Sequence, residues 1–201
     1  MAQAIISPDF CSSYSVDLRI VRLVPSGDFS VKDVIGKTVF KIKGTFFSLH
    51  DRRVIVNGAG YPIVTLQKKW ISTHHRWKIY RGDSTDSRNL IFSVKKSSVV
   101  QWKTNLHVFL AHNQAEHTPD FKVKGSWFER SCVVFAGKSK SSNIVAQVRI
   151  NYTVTSVLFG KDNFRVTVYP GVDQAFIVAL IVILDEINSS GSGSSGSGDG
   201  D

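Results

Sequence analysis

The stretch that decides the fold is GVDQAFIVALIVILDEIN, Gly171–Asn188. Ten consecutive residues, Ala175 to Leu184, carry no polar side chain. A membrane-spanning helix needs about twenty apolar residues to cross about 30 Å of hydrocarbon. Ten residues at about 1.5 Å each cover about half of that, and Asp173 and Asp185-Glu186 bracket the run. A buried strand stays open for so short an apolar run, but the flanking residues favour a helix over 173–187. Asp173 is placed as N-cap, with Val172 and Ile177 positioned for a hydrophobic staple. Asp185 and Glu186 fall at the negative end of the helix dipole, which predicts a basic partner from the rest of the chain. A helix apolar on every face must be enclosed on every face.

Everything upstream is strand-like. Val16, Leu18 and Ile20 alternate with polar residues, and in KTVFKIKG Phe40 and Ile42 share one face while Lys41 and Lys43 share the other. Similar runs recur in RVIVN, YPIVTLQ, RWKIYRG, NLIFSVKK, LHVFLA, DFKVKGSW, CVVFAG, NIVAQVRI and FRVTVYP, broken by turn-rich PSGD, NGAG, GDSTDSRN and AGKSKSSN. About a dozen short strands predict an antiparallel all-β sandwich or barrel. An eight-stranded barrel holds only side chains, so a helix on the axis calls for more strands. An internal repeat agrees: FKIKGTFF (Phe40–Phe47) is echoed by FKVKGSWF (Phe121–Phe128), and three later segments follow in matching order, ending with RWKIYRG against FRVTVYPG. Two copies predict one sheet system of pseudo-two-fold character, because a solenoid needs more. The expected organisation is a flexible segment at 1–15, one barrel domain at 16–188, and a disordered Ser/Gly tail at 189–201.

Lys and Arg number 25 against 16 acids, a net charge of +9; two of those acids lie in the tail, so the remainder carries +11. Such a surface attracts polyanions. The N-terminal residues lack the pattern of a secretory signal, which predicts an intracellular protein, cytoplasmic or peripheral at membranes, with the nucleus as a second compartment. Cys11 and Cys132 form no disulfide framework.

FKIKGTFFSLHDRRVIVNGAGYPIVTL, HRWKIYRGDSTDSRNLIFSVKKSS, FKVKGSWFERSCVVFAGKS and YPGVDQAFIVALIVILDEIN resemble the LURP-one-related proteins of plants, from about Phe29 to Asn188. That family is similar in fold to the tubby C-terminal domain and to phospholipid scramblases. The resemblance implies a mainly β fold: a closed twelve-stranded antiparallel barrel around a hydrophobic C-terminal helix. It also implies a link to plant defence and, through tubby, a phosphoinositide site on a basic strand. The matching strand is Ile91–Lys96, with Lys95 at one basic position of the tubby pattern and Ser93 at the other, where a cation is missing.

The residues point to the same region unaided. RWKIY and LIFSVKK flank GDSTDSRN and predict a hairpin. Arg76, Lys78 and Tyr80 then face outward on one strand, Ser93 and Lys95 on the other. Pairing sets Arg76 near Lys95 and Lys78 near Ser93. Like charges so placed recruit an acid or meet an anion; Lys96 and Lys103 extend the patch. Lys41, Lys43, Lys122 and Lys124 read as the solvated outer face of two strands. SLHDRR (Ser48–Arg53) holds the letters of a catalytic triad, but adjacent turn residues cannot converge as one; Asp51 and Arg52 predict a local ion pair. His50, His74, His75, His107, His112 and His117 lack zinc-site spacing, and AGKSKSS lacks that of a phosphate loop. The expectation is a monomeric, non-enzymatic binding module without cofactor, metal or transmembrane span. Its predicted ligand is a phosphoinositide or anionic phospholipid at Arg76, Lys78, Lys95, Lys96 and Lys103, in defence signalling with unknown protein partners. The alternative is a nucleic-acid-binding, transcription-related factor of the tubby type.

Overall fold

Alternation sorts each strand into two faces. In TVFKIKG, Phe40 and Ile42 are buried while Lys41 and Lys43 are exposed. The same two-residue period is clear in Val16–Leu23, Asp28–Lys32 and Phe121–Ser126, whereas 64–67 and 91–94 are covered on both faces; the sorting requires a sheet with one wet and one dry side. The computed structural model describes residues 4–23, 26–44, 52–69, 76–97, 104–126, 131–137, 143–150 and 163–189. Its strands are β1 (Val16–Leu23), β2 (Asp28–Lys32), β3 (Thr38–Gly44), β4 (Arg52–Asn57), β5 (Pro62–Lys69), β6 (Arg76–Arg81), β7 (Leu90–Lys96), β8 (Thr104–Leu110), β9 (Phe121–Ser126), β10 (Ser131–Ala136), β11 (Ile144–Ile150) and β12 (Asn163–Val168). Each pairs antiparallel with its sequence neighbours, and β1 pairs with β12 to close a barrel. Register shifts in β2–β3, β4–β5, β6–β7 and β10–β11 add the local bends that closure needs.

The segment after β12 is a helix, α1 (Gln174–Ser189), threading the barrel. None of the ten residues from Ala175 to Leu184 is more than 1 % exposed. The all-round apolar run is thus met by an all-round wall of strand side chains. Phe176 packs edge-on against Phe92, with ring centroids 5.1 Å apart, and tilts over Phe121 at 4.8 Å. Among the described residues no helix is long and apolar enough to cross a membrane.

Both helix ends are tied to the sheet. At the start, Asp173 Oδ1 accepts the Phe176 N–H at 3.1 Å, the capping role expected of it. Its other oxygen, Oδ2, accepts the backbone N–H groups of Ile5, Ile6 and Ser7 at 3.2, 2.6 and 3.1 Å. The N-terminal segment therefore departs from the flexible lead-in expected of residues 1–15. From residue 4 onward it is described, Ile6 is buried in the core cluster, and Arg81 Nη1 donates to the Ile6 carbonyl at 3.0 Å. The reason is the buried carboxylate: fully removed from water, it must find donors, and this strip of backbone supplies three. At the other end Arg22 pairs with Asp185 at 3.3 Å and Arg53 pairs with Glu186. These are the basic partners the helix dipole called for. Both guanidinium groups also sit over the Phe29 ring, at 5.9 and 5.6 Å from its centroid.

The repeat is visible as symmetry. β3–β6 carry the first copy and β9–β12 the second, six positions apart in a ring of twelve strands. Corresponding strands consequently lie on opposite sides of the barrel. Gly125, in the second FKVKG, shows why the motif ends in glycine: at φ 145° it passes so near β10 that a Cβ would sit 2.1 Å from the Ser131 carbonyl oxygen.

Candidate anion-docking site

The hairpin of β6 and β7 forms as its sequence implies. Trp77 pairs with Val94 and Lys78 with Ser93; continuing that register sets Arg76 opposite Lys95. Trp77, Ile79, Phe92 and Val94 are buried in the barrel core, where Phe92 meets Phe176 of the helix. The pleat consequently sends Arg76, Lys78, Ser93 and Lys95 to the outer face. Register carries the row further around the barrel: Lys69 on β5 is opposite Arg76, His107 on β8 is opposite Lys95, and Lys122 on β9 is opposite His107. Five basic side chains thus stand side by side on five consecutive strands, with Lys78 and Lys124 on neighbouring rungs. At about 4.8 Å per strand the row extends about 19 Å.

Among the described residues one acid answers this row, and it comes from the connection between β8 and β9. Glu116 accepts from both Arg76 Nη groups at 2.9 and 3.0 Å, accepts the Ser93 hydroxyl at 3.1 Å, and pairs with Lys95. It adopts φ 50°, the only left-handed non-glycine backbone among the described residues. Burial alone would raise its carboxyl pKa, but the contacts from Lys95, Arg76 and Ser93 outweigh that and hold it below the usual carboxylate range. Of the two outcomes open to the cation cluster, an acid partner is the one realised. The arrangement shows that Arg76, Ser93 and Lys95 converge well enough to grip an oxyanion in a two-pronged fork.

His107 sits further along the row. Burial first, then Lys122, Lys124 and Lys95, push its pKa below the ordinary imidazole value, so at neutral pH it is an uncharged donor among lysines. Lys95 also lies over the Phe109 ring, 5.2 Å from its centroid.

The expected site residues fare unequally. Arg76, Lys78 and Lys95 share the outer face. Lys96 does not extend it, because it takes the opposite pleat, paired with the buried Leu106 at the last position of β7. Lys103 lies outside the described residues, as do His50, His74, His75 and Ser48 to Asp51. Arg52 pairs with Asp83. Lys41, Lys43, Lys122 and Lys124 are on the outer face, as expected, and Lys122 and Lys124 lie in or beside the row of basic side chains. Glu116 and Lys69 were missed: nothing in AHNQAEHTPD marks one acid as a counter-ion, and Lys69 joins the row only through the β5–β6 register. Among the described residues no group of three His, Cys, Asp or Glu could hold a metal. Burial pushes the Cys132 thiol up to about 12, which makes it an inert core residue.

A closed twelve-stranded barrel wound on its own C-terminal helix, with a cation row on its exterior, defines the class. The LURP-one-related family model matches residues 17–185. Protein LURP-one-related 15 of Arabidopsis thaliana is 53% identical over 187 residues, covering 92% of this chain and 85% of that protein. Protein LURP-one-related 10 of the same plant is 51% identical over 193 residues, covering 94% and 98%. An X-ray structure of an Arabidopsis thaliana protein superposes with a TM-score of 0.74 at 46% identity, over 92% of this chain and 98% of that one. The chain belongs to the LURP-one-related family.

Proposed function

We propose that this protein is a non-enzymatic binding module that docks on phosphoinositide-bearing or otherwise anionic membrane through the outer face of β5–β9. The observation that carries the reading is the row Lys69, Arg76, Lys95, His107 and Lys122, backed by Lys78 and Lys124, with Glu116 as its single described counter-ion. Each Lys or Arg at an acidic leaflet contributes about 1 kcal/mol, so six cations suffice for reversible recruitment without an inserted helix. The fork that holds Glu116 supplies geometry for a phosphate as well as charge. In this reading the protein works inside the cell as a monomer, cycling between cytoplasm and membrane, and uses no cofactor. Its presentation of a bound surface to partner proteins would serve defence-related signalling.

Sedimentation with vesicles of neutral lipid, neutral lipid plus phosphatidylserine, and neutral lipid plus a phosphoinositide tests it. Binding should need acidic lipid, weaken with salt, and drop at least tenfold in a Lys78→Ala, Lys122→Ala, Lys124→Ala variant. Competition by a soluble inositol phosphate separates head-group recognition from general attraction. No sedimentation with any acidic vesicle, together with salt-sensitive retention on DNA, would replace this reading with a nucleic-acid one.

A further inference from the structure

The pseudo-two-fold relation has a consequence on the far side of the barrel. The strands that correspond to β5, β6, β7 and β8 are β11, β12, β1 and β2. On their outer faces these strands carry Arg149, Arg165, Arg19 and Lys32. Register confirms a second row: Arg149 is opposite Arg165, Arg165 opposite Arg19, and Arg19 opposite Lys32. Val148, Val166, Leu18, Ile20 and Val31 beside them are buried, so these four side chains face outward. Residues 19, 32, 149 and 165 are far apart in sequence; only closure of β1 on β12 unites them.

The two rows differ in one respect. The first is gripped by Glu116 from the long connection between β8 and β9, residues 111–120. The corresponding connection, between β2 and β3, is the short turn 33–37. Its acid, Asp33, is committed to its own turn, where Oδ1 accepts the Ile35 and Lys37 N–H groups at 3.1 and 2.9 Å. Asp17, on the same face of β1, is held by the Thr167 hydroxyl at 2.7 Å. Among the described residues none of Arg19, Lys32, Arg149 or Arg165 makes an ion pair. Four cations directly opposite one another cost a sheet stability, and an external anion would relieve the repulsion. Beside them the same turn exposes Val34 and Ile35, 77 % and 83 % accessible, between Lys32 and Lys37. An apolar tip flanked by lysines suits a lipid head-group layer better than a nucleic acid.

We infer that the row Arg149–Arg165–Arg19–Lys32, with the Val34-Ile35 turn, is a second docking face for anionic lipid. With the β5–β9 face on the opposite wall, it lets one molecule bridge two acidic membranes. This rests on the proposed function for the first face. One charge at a leaflet changes affinity about fivefold, so Arg19→Ala with Arg165→Ala weakens the second face by about twenty-five-fold.

Light scattering and sedimentation of phosphatidylserine vesicles, measured together, test it. The wild-type protein is expected to bind the vesicles and cluster them. The Arg19→Ala, Arg165→Ala variant is expected to bind within about twofold through the remaining face while clustering falls at least tenfold. A Val34→Ser, Ile35→Ser variant, which leaves the sheet untouched, should also cluster less. Circular dichroism melts and sedimentation velocity without vesicles check that the variants fold and that the protein alone stays monomeric. Binding without clustering by the wild type, or equal clustering by the variants, overturns the second face and leaves the first. Absence of wild-type binding overturns both, and clustering of neutral vesicles overturns the charge-based account.

Discussion

Glu116→Gln should move stability and binding in opposite directions. The glutamine keeps the shape of the side chain and its bond to Ser93 but removes the charge gripped by Arg76 and Lys95. The Glu116 side chain is 18% exposed and its two cationic partners 27% and 28%. Water therefore screens the pairs in part. Breaking a fully buried pair costs about 3–5 kcal/mol and an exposed one up to about 1 kcal/mol; a loss of about 1–2 kcal/mol is expected here. The same change adds one unit of positive charge to the docking row, worth about 1 kcal/mol at an acidic leaflet, or about fivefold tighter vesicle binding. Urea unfolding measures the first quantity and vesicle sedimentation at about 0.1 M salt the second. A variant that loses stability while its vesicle affinity stays level or falls would show that Glu116 is a strut of the fold, with no bearing on a ligand. The docking reading would then lose its main geometric support.

Three further changes test other parts of the molecule. Asp173→Ala removes a helix cap worth about 1 kcal/mol and frees the strip that buries Ile6, worth about 2–3 kcal/mol; urea unfolding should show a loss of about 3–4 kcal/mol, with new proteolytic cleavage near residue 6, and an unchanged digest would refute the tether. Ala179→Glu places an unpaired charge in the middle of a helix turn that is 0% exposed, a cost above about 5 kcal/mol; recovering soluble, cooperatively folding protein would sink the barrel-core assignment. His107 has a folded-state pKa below the ordinary 6.5, so below that pH the unfolded chain takes up the proton first and stability falls as pH drops towards the folded value. His107→Gln should flatten the stability profile on the acid side of 6.5, and an identical slope in both proteins would discard the effect.

The fold was legible because its signals are local or periodic. Phe40 and Ile42 against Lys41 and Lys43 declare a strand, and FIVALIVIL declares an element with no wet side; a closed sheet is what can satisfy both. The FKIKG and FKVKG copies also announced the symmetry that the strand order displays. The site was legible only as far as one hairpin extends. Arg76, Lys78 and Lys95 follow from alternation across a single turn. Lys96, expected from its charge to extend the patch, is put on the opposite pleat by parity. Glu116 could not be foreseen, since its position depends on how a ten-residue connection folds back over β6 and β7. The tie between Asp173 and residues 5–7 spans 166 to 168 positions, and no pattern in either segment names the other.

The placement of α1 also sets a schedule for synthesis. Chains emerge at about 5–20 residues per second, so β1 waits on the order of ten seconds or more before either β12 or the helix exists to meet it. During that interval eleven strands have inward faces with nothing to pack on, and their pairings with neighbours are the only structure within reach. β12 and the sixteen-residue helix that follows it supply the last pairing and the core almost together. Barrel closure is therefore one concerted event rather than a gradual assembly. A ribosome that stalls before residue 174 leaves a chain whose apolar strand faces are all open to aggregation. The protein's exposure to chaperones should accordingly depend on how quickly residues 163–189 are translated.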